Sequence, residues 1–364
     1  MKIGILTFHY AHNYGAMLQA YALCAKLKRF GHNAEIVDYR LPYIYKNHER
    51  LGLRAFYKQR YSSENCIVGA LKTLKNYPRY FFRPTKWYRF EDFLNNIIPK
   101  SERLFSTEGI NKQGYDVLIC GSDQIWNTRL TGELIPLYFC DGLDAKIKLT
   151  YAASNGNEYI EPKYILEFSR LIKNLDYVSI REKGLSDFLN NNGFNNTCVV
   201  DPVFLLSQEE WKEVAEKPKG SNYLLTYSFD ESPGFFEFAY NIANKLGKKM
   251  IVYTFEKRQN LPDDIMQFYI GGPKEFLGYL MNADFVITNS FHGTAFSIIF
   301  RKQFYSIPPK HGRERIDSLL RTFGLQSRIV DSKNDVNLTP IVYSEELILQ
   351  QICNSETFIK EGLK

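Results

Sequence analysis

The sequence predicts an α/β protein of two Rossmann-like lobes, each built on a parallel sheet, with a ligand cleft between them. Three observations carry that prediction. Short apolar runs alternate with segments of helical period along the chain, the signature of βα units. A polar tract, Lys217-Pro218-Lys219-Gly220-Ser221-Asn222, divides that series in two. The length, 364 residues, exceeds what one ordinary core serves and suits two domains. At 45% hydrophobic and 24% charged residues, the chain has enough apolar surface to offset the entropy of ordering, which excludes a disordered protein.

The elements follow in order. Residues 2–8 form a buried strand, and the polar turn after it opens a helix. Met17, Ala20, Tyr21, Cys24 and Leu27 recur at steps of three and four, Asn13 is placed to cap that helix, and Gly31 to end it. Residues 34–39 read as the next strand, which completes a βαβ unit. After residue 104 the alternation resumes with strands at 115–120 and 148–153, a helix over 162–174, and strands at 177–180 and 197–200. Beyond the polar tract, strands are expected at 223–228, 249–254, 284–288 and 303–307. Helices are expected near 233–246, 273–282, 292–300 and 313–323, and a last helix over 344–361. The domains are therefore 1–216, with an insertion at about 41–104, and 222–343. The segment 344–364 is a helix that can pack back on the first lobe.

Composition narrows the function classes. Met-Lys-Ile-Gly-Ile-Leu-Thr-Phe has too short an apolar run for a signal peptide, and no stretch approaches the roughly 20 apolar residues of a membrane span. The six cysteines are scattered without a Cys-x-x-Cys pair, so they read as reduced, mostly buried thiols of a cytoplasmic protein. No metal site is expected, because no His/Cys cluster is present. The net charge of +6 is unevenly placed: residues 41–90 hold eleven Lys/Arg against two acids, +9, which leaves −3 for the remainder. Twelve aromatics, among them Tyr80, Phe81, Phe82, Trp87 and Tyr88, lie in the same stretch. It reads either as a solvated insertion or as a surface for anionic lipid or a diphosphate-linked acceptor at the inner face of a membrane. Nucleic acid is not an expected partner, because no nucleic-acid-binding motif is present.

In open α/β sheets ligands sit outside the carboxyl ends of the strands, so candidate residues are those just after each strand. The first strand runs into His9, His12, Asn13, Tyr14 and Gly15, where glycine lets the backbone approach a ligand; the same segment also reads as a plain capped helix start. The strand at 115–120 runs into Gly121-Ser122-Asp123, with Trp126 three residues on: a carboxylate and an aromatic platform suited to a sugar, or an Asp turn with a buried Trp. Arg181 ends a strand and offers a planar fork to a carboxylate or phosphate, or pairs with Glu182. Asn289-Ser290-Phe291-His292-Gly293-Thr294 joins a buried strand to a helix. Ser290 can cap that helix, its first amides and dipole favour an anion, His292 can face the cleft, and Gly293 removes a side chain that blocks approach. No Gly-x-Gly-x-x-Gly or Walker pattern supports a dinucleotide or P-loop site.

Taken in order, Asn13-Tyr14-Gly15-Ala16-Met17-Leu18-Gln19-Ala20, Gly121-Ser122-Asp123-Gln124-Ile125-Trp126-Asn127, Ser179-Ile180-Arg181-Glu182, Asp201-Pro202-Val203 and Ser290-Phe291-His292-Gly293-Thr294 resemble the polysaccharide pyruvyl transferases over about residues 3–307. The resemblance implies a GT-B-like fold, phosphoenolpyruvate as donor substrate with no separate cofactor, and a saccharide acceptor, usually in capsule, exopolysaccharide or cell-wall synthesis; that acceptor is expected to be lipid-linked. It carries the family's Ser-x-Arg arginine onto Arg181 and its donor-site histidine onto His292. The expected donor site is then Arg181 with Asn289, Ser290, Phe291, His292, Gly293 and Thr294. The catalytic residues are His292, Asp123 and Arg181, and the acceptor site holds His9, His12, Asn13, Tyr14, Gly15, Ser122, Asp123 and Trp126. Some members carry an arginine two residues before the histidine, where this chain has Ser290. Lys310, Arg313 and Arg315 are the candidates to replace that cation. Two other readings fit the same fold: a glycosyltransferase or epimerase using a nucleotide sugar, and a non-catalytic saccharide-binding protein.

Overall fold

The computed structural model describes residues 1–41, 57, 65–81, 84–218, 220–228, 234–255, 257–258, 261–262, 265–309, 312–331, 336 and 338–364. The first lobe is built on β1 (Lys2–Leu6), β2 (Asn33–Ile36), β3 (Val117–Cys120) and β4 (Ile147–Thr150), all parallel, in the order β2-β1-β3-β4. Ile3 stands between Ala34 and Val117, and Ile119 lies opposite Leu149. A short parallel pair, β5 (Ser179–Ile180) and β6 (Thr197–Cys198), continues the β4 edge through bridges at Leu149–Tyr177 and Ala153–Ile180. The second lobe has β7 (Tyr223–Tyr227), β8 (Lys249–Tyr253), β9 (Met266–Phe268), β10 (Phe285–Thr288) and β11 (Gln303–Ser306), parallel in the order β11-β10-β7-β8-β9. Strands such as β3, β7 and β10 are buried at every position because helices cover both faces, which is why they read as unbroken apolar runs.

Two details depart from the periodicity. The edge strand β9 was not expected: Met-Gln-Phe is partly exposed and shows no apolar run. The helix expected over 162–174 is one turn of 3₁₀-helix (Pro162–Tyr164), an α-helix (Ile165–Leu171) and a second 3₁₀ turn (Ile172–Asn174). Of the six cysteines, Cys24, Cys120 and Cys140 are buried and Cys66, Cys198 and Cys353 are exposed, a more even split than expected.

Part of the basic stretch is not an appendage. The helix Pro84–Asp92 and the π-turn Phe93–Ile97 send Phe90, Phe93 and Leu94 into the core, all fully buried. The same helix crosses to the second lobe, where Arg89 pairs with Glu275 at 2.7 Å and Asp92 with Lys274 at 2.9 Å. Residues 42–56, 58–64, 82 and 83, Phe82 among them, lie outside the described residues. The lobes share a core at this edge. Tyr14 inserts between Phe90 of its own lobe and Tyr227, Tyr253 and Phe276 of the other, stacked on Phe276 at 4.8 Å, and its hydroxyl donates to the Gly271 carbonyl at 3.1 Å. The last helix, Glu345–Gly362, lies against the first lobe: Ser355 accepts from the Val200 amide at 3.0 Å and Glu356 pairs with Lys26 at 2.5 Å.

Each sheet has one topological switch point, between β1 and β3 and between β7 and β10, where successive crossovers depart in opposite directions and leave a crevice. Side-chain bonds tie both crevices: Thr7 donates to the Ser122 carbonyl at 3.0 Å, and Asn289 donates to Ser228 at 2.8 Å.

Candidate active site between the lobes

The helix start Asn13–Gly15 and the helix start Ser290–Gly293 face each other across the interlobe boundary. Asn13 caps its helix by accepting from the Ala16 amide at 3.2 Å, and Ser290 caps the other by accepting from the Gly293 amide at 3.3 Å. They meet at Gly15 and His292. A Cβ built on Gly15 would stand 1.9 Å from Nδ1 of His292, so glycine there makes room for an imidazole from the other lobe. Gly293 has an equally specific neighbour: a Cβ there would lie 2.4 Å from the Thr288 hydroxyl, which accepts from the Ser290 amide at 3.1 Å. Gly293 therefore admits Thr288 and holds the turn, rather than opening a path for a ligand.

Behind His292 lies a buried ion network. Arg181, at the carboxyl end of β5, donates through Nε to Glu182 at 2.8 Å and through Nη1 to Asp201 at 2.9 Å. Asp201 also accepts from the Ser122 hydroxyl at 3.2 Å and the Val203 amide at 3.1 Å, and stands 3.7 Å from Nε2 of His292. Burial alone would raise the Asp201 carboxyl, but His292 and Arg181 beside it outweigh that and hold it well below the usual carboxylate range. The Arg181 guanidinium lies over the Phe291 ring, 4.3 Å from its centroid. Asp123 turns at φ 67°, its carboxylate accepts from the Gln124 amide at 2.8 Å, and its charge acts on both Arg181 and Arg315.

Arg315 is the residue whose role the sequence left open. It lines the same cavity of about 370 Å³ as Arg181, Asp201 and Phe291. Its guanidinium is held below the ordinary arginine value, first by burial and then by the adjacent positive charge of Arg181. Arg313 is exposed and pairs with Asp317 at 3.1 Å, and Lys310 lies outside the described residues, so of the three candidates the structure brings Arg315 to the site. Lys183 and Arg321 line the cavity too, against the acids Glu182 and Asp201, so cations exceed acids around it. Arg181 Nη2, Arg315 Nε and His292 Nε2 are buried without a hydrogen-bond partner. A buried donor left unsatisfied costs about 1–3 kcal/mol, a deficit that an anion with several oxygens relieves.

Other expected site residues have different duties. Trp126 is fully buried, donates to the Tyr138 carbonyl at 3.1 Å and stacks on Phe139 at 4.9 Å, so no face is left for a sugar; it is a core residue of the first lobe. Tyr14 is taken by the interlobe core, and Ser122 by Asp201. His9 is buried between the Thr7 carbonyl at 3.1 Å and Asp38 at 3.0 Å, and His12 meets Glu91 at 3.1 Å while stacking on Phe90. Both histidines, expected at the acceptor site, are thus engaged with acids of the first lobe. Thr294 points into the second lobe, bonded to Ser306 at 2.7 Å and to the Ser290 carbonyl at 3.0 Å. Asn289, which bonds Ser228, holds the crevice at its base. Asp201, by contrast, is the hub that sequence reasoning noticed only as a motif; its position right after a strand was the available signal.

Among the described residues no group of three or more His, Cys, Asp and Glu is placed to hold a metal ion, and no helix is long and apolar enough to cross a membrane. Among solved structures, the chain is similar to the UDP-GlcNAc 2-epimerase of Methanocaldococcus jannaschii, with a TM-score of 0.51 and 11% identity, over 97% of this chain and 92% of that one. It is also similar to S. aureus MnaA in complex with UDP, with a TM-score of 0.52 and 10% identity, over 98% and 89%. At such identity the likeness speaks for the two-lobed GT-B-type fold alone. No curated protein matches the sequence. The family model of polysaccharide pyruvyl transferase matches residues 13–311, a span that opens at the Asn13 cap, takes in Asp123, Arg181, Asp201 and His292, and closes just short of Arg315. With most of its length and its whole interlobe motif set inside that match, this chain belongs to the polysaccharide pyruvyl transferase family.

Proposed function

We propose that the protein transfers pyruvate from phosphoenolpyruvate to a saccharide, forming a pyruvate ketal. The observation that carries this reading is the convergence of Arg181, Arg315 and His292, each with an unpartnered buried nitrogen, beside a helix start. Phosphoenolpyruvate presents a carboxylate and a phosphate on one small carbon frame, so the unpartnered Nη2 of Arg181, the Arg315 guanidinium and a helix N-terminus match its two anions. Arg181 and Arg315 take the carboxylate and phosphate, Arg315 standing in for the arginine that other members carry at the position of Ser290.

The chemistry balances without a redox step. A first sugar hydroxyl adds to the central carbon while the methylene carbon gains a proton and becomes a methyl group. A second hydroxyl then displaces phosphate and closes the ketal; its proton leaves with the phosphate. His292 binds the phosphate and serves as the acid, and Asp123, at the carboxyl end of β3, orients or deprotonates the acceptor hydroxyl. The acceptor is a lipid-linked saccharide of capsule, exopolysaccharide or cell-wall synthesis. The low-identity likeness to nucleotide-sugar enzymes extends only to fold, so it favours no second reading.

The test is phosphate release from phosphoenolpyruvate with candidate lipid-linked acceptors, joined to a thermal-shift screen. Phosphoenolpyruvate should raise the melting temperature and UDP-sugars should not. The opposite ranking, or a His292→Ala protein with full turnover, would overturn the assignment.

A further inference from the structure

We propose that the outward face of the Cys66–Phe81 helix docks on an anionic phospholipid membrane. This helix is inverted relative to an ordinary surface helix. Its inward positions are the small residues Gly69 and Thr73, both buried, and the Thr73 hydroxyl is satisfied by the Gly69 carbonyl at 2.8 Å. Its aliphatic residues point the other way: Ile67 is 72% exposed, Leu71 63%, Leu74 65% and Val68 45%. Ile67, Leu71 and Leu74 follow steps of four and three, so they form one stripe, and Val68 widens it on the side of Lys72 and Lys75. An aliphatic stripe bordered by lysines is the arrangement of a helix lying in a membrane interface, with the chains in the acyl boundary and the ammonium groups among the headgroups.

Charge decides between the possible occupants. The stretch 41–90 carries eleven Lys/Arg against two acids, while the rest of the chain is net −3. At the stripe itself stand Lys72 and Lys75, and the Cys66–Phe81 helix holds no acid, so a second copy would bring like positive charge against that face. An anionic headgroup layer neutralises it, at about 1 kcal/mol, or about fivefold, for each cation near the surface. The inference is independent of the reaction proposed above, and its test contains no substrate.

The experiment is co-sedimentation of the full chain with phosphatidylcholine vesicles with and without phosphatidylglycerol, at low and high salt. The expected result is binding to the anionic vesicles only, weakened by salt. Leu71→Glu with Leu74→Glu should reduce that binding by at least about tenfold, because each leucine removed from an apolar contact is worth more than one factor of ten. Lys72→Ala with Lys75→Ala should weaken it by about fivefold per lysine and flatten the salt dependence. All four side chains are exposed, so both double variants should melt with the wild type. Equal binding to neutral vesicles, no binding, or leucine variants that bind as the wild type does would overturn the proposal. So would a dimer, seen by sedimentation velocity, that the leucine variants dissociate with no vesicle binding: the face would then belong to a second copy.

Discussion

Gly15→Ala is the sharpest test of how the two lobes make one site. The added methyl carbon would sit 1.9 Å from Nδ1, 2.3 Å from Cγ and 2.5 Å from Cε1 of His292. Ordinary contact begins at 3.4 Å, so the ring must retreat by about 1.5 Å. It has little room to do so. Asp201 is 3.7 Å from its Nε2, and the helix that carries it is held at Gly293 against Thr288. Either the imidazole leaves its position or the lobes part around it. Misplacing a catalytic group by about 1 Å costs about a hundredfold in rate, and overpacking a tight contact costs about 1–3 kcal/mol in stability. Gly15→Ala should therefore lose about a hundredfold in phosphate release while still folding, with a modest fall in melting temperature. The double variant Gly15→Ala/His292→Ala separates the causes, because with the ring gone the methyl group has space. It should turn over no more slowly than His292→Ala alone and recover the stability that Gly15→Ala lost. Wild-type turnover by Gly15→Ala, or losses that simply add in the double variant, would refute the claim that Gly15 acts through His292.

Two further outcomes follow from the ion network. Arg315→Met should weaken phosphoenolpyruvate binding, measured by calorimetry, by at least about tenfold, since a hydrogen bond to a charged group contributes about 1.5–3 kcal/mol. Because burial and Arg181 depress the Arg315 guanidinium, its charge opposes folding at neutral pH, so the same variant should melt no lower than wild type; unchanged donor affinity would remove Arg315 from the site. Asp201→Asn breaks a buried pair with Arg181 and should cost about 3–5 kcal/mol at pH 7. The folded Asp201 carboxyl lies below its ordinary value, so its stabilisation is complete above about pH 4 and is lost as pH falls toward the folded value. Denaturant curves of wild type and variant should hence converge below about pH 4; a constant gap across that range would refute the network's role.

The fold was legible because parallel strands covered on both faces leave continuous apolar runs, and helices leave a 3.6-residue stripe. The strand from Phe285 to Thr288 and its Ser290-capped helix are both found within a residue or two of where those periods place them. The edge strand Met266–Phe268 was not legible, because an edge residue that packs on one side only needs no apolar run. In the site, Arg181 and His292 announced themselves by standing just after strands. Trp126 and Tyr14 stood in equally suggestive places, yet both are core, and one-dimensional order does not say which way an aromatic turns.

The sequence by itself determined the two parallel lobes, the capped helix starts and the family, because these depend on local period, capping and motif order. Only the tertiary structure decided who meets whom. Gly15 yields to a histidine 277 positions away, and Arg315 approaches Arg181 from the other lobe. Such pairings are set by how two sheets dock, and sequence separation carries no trace of that geometry.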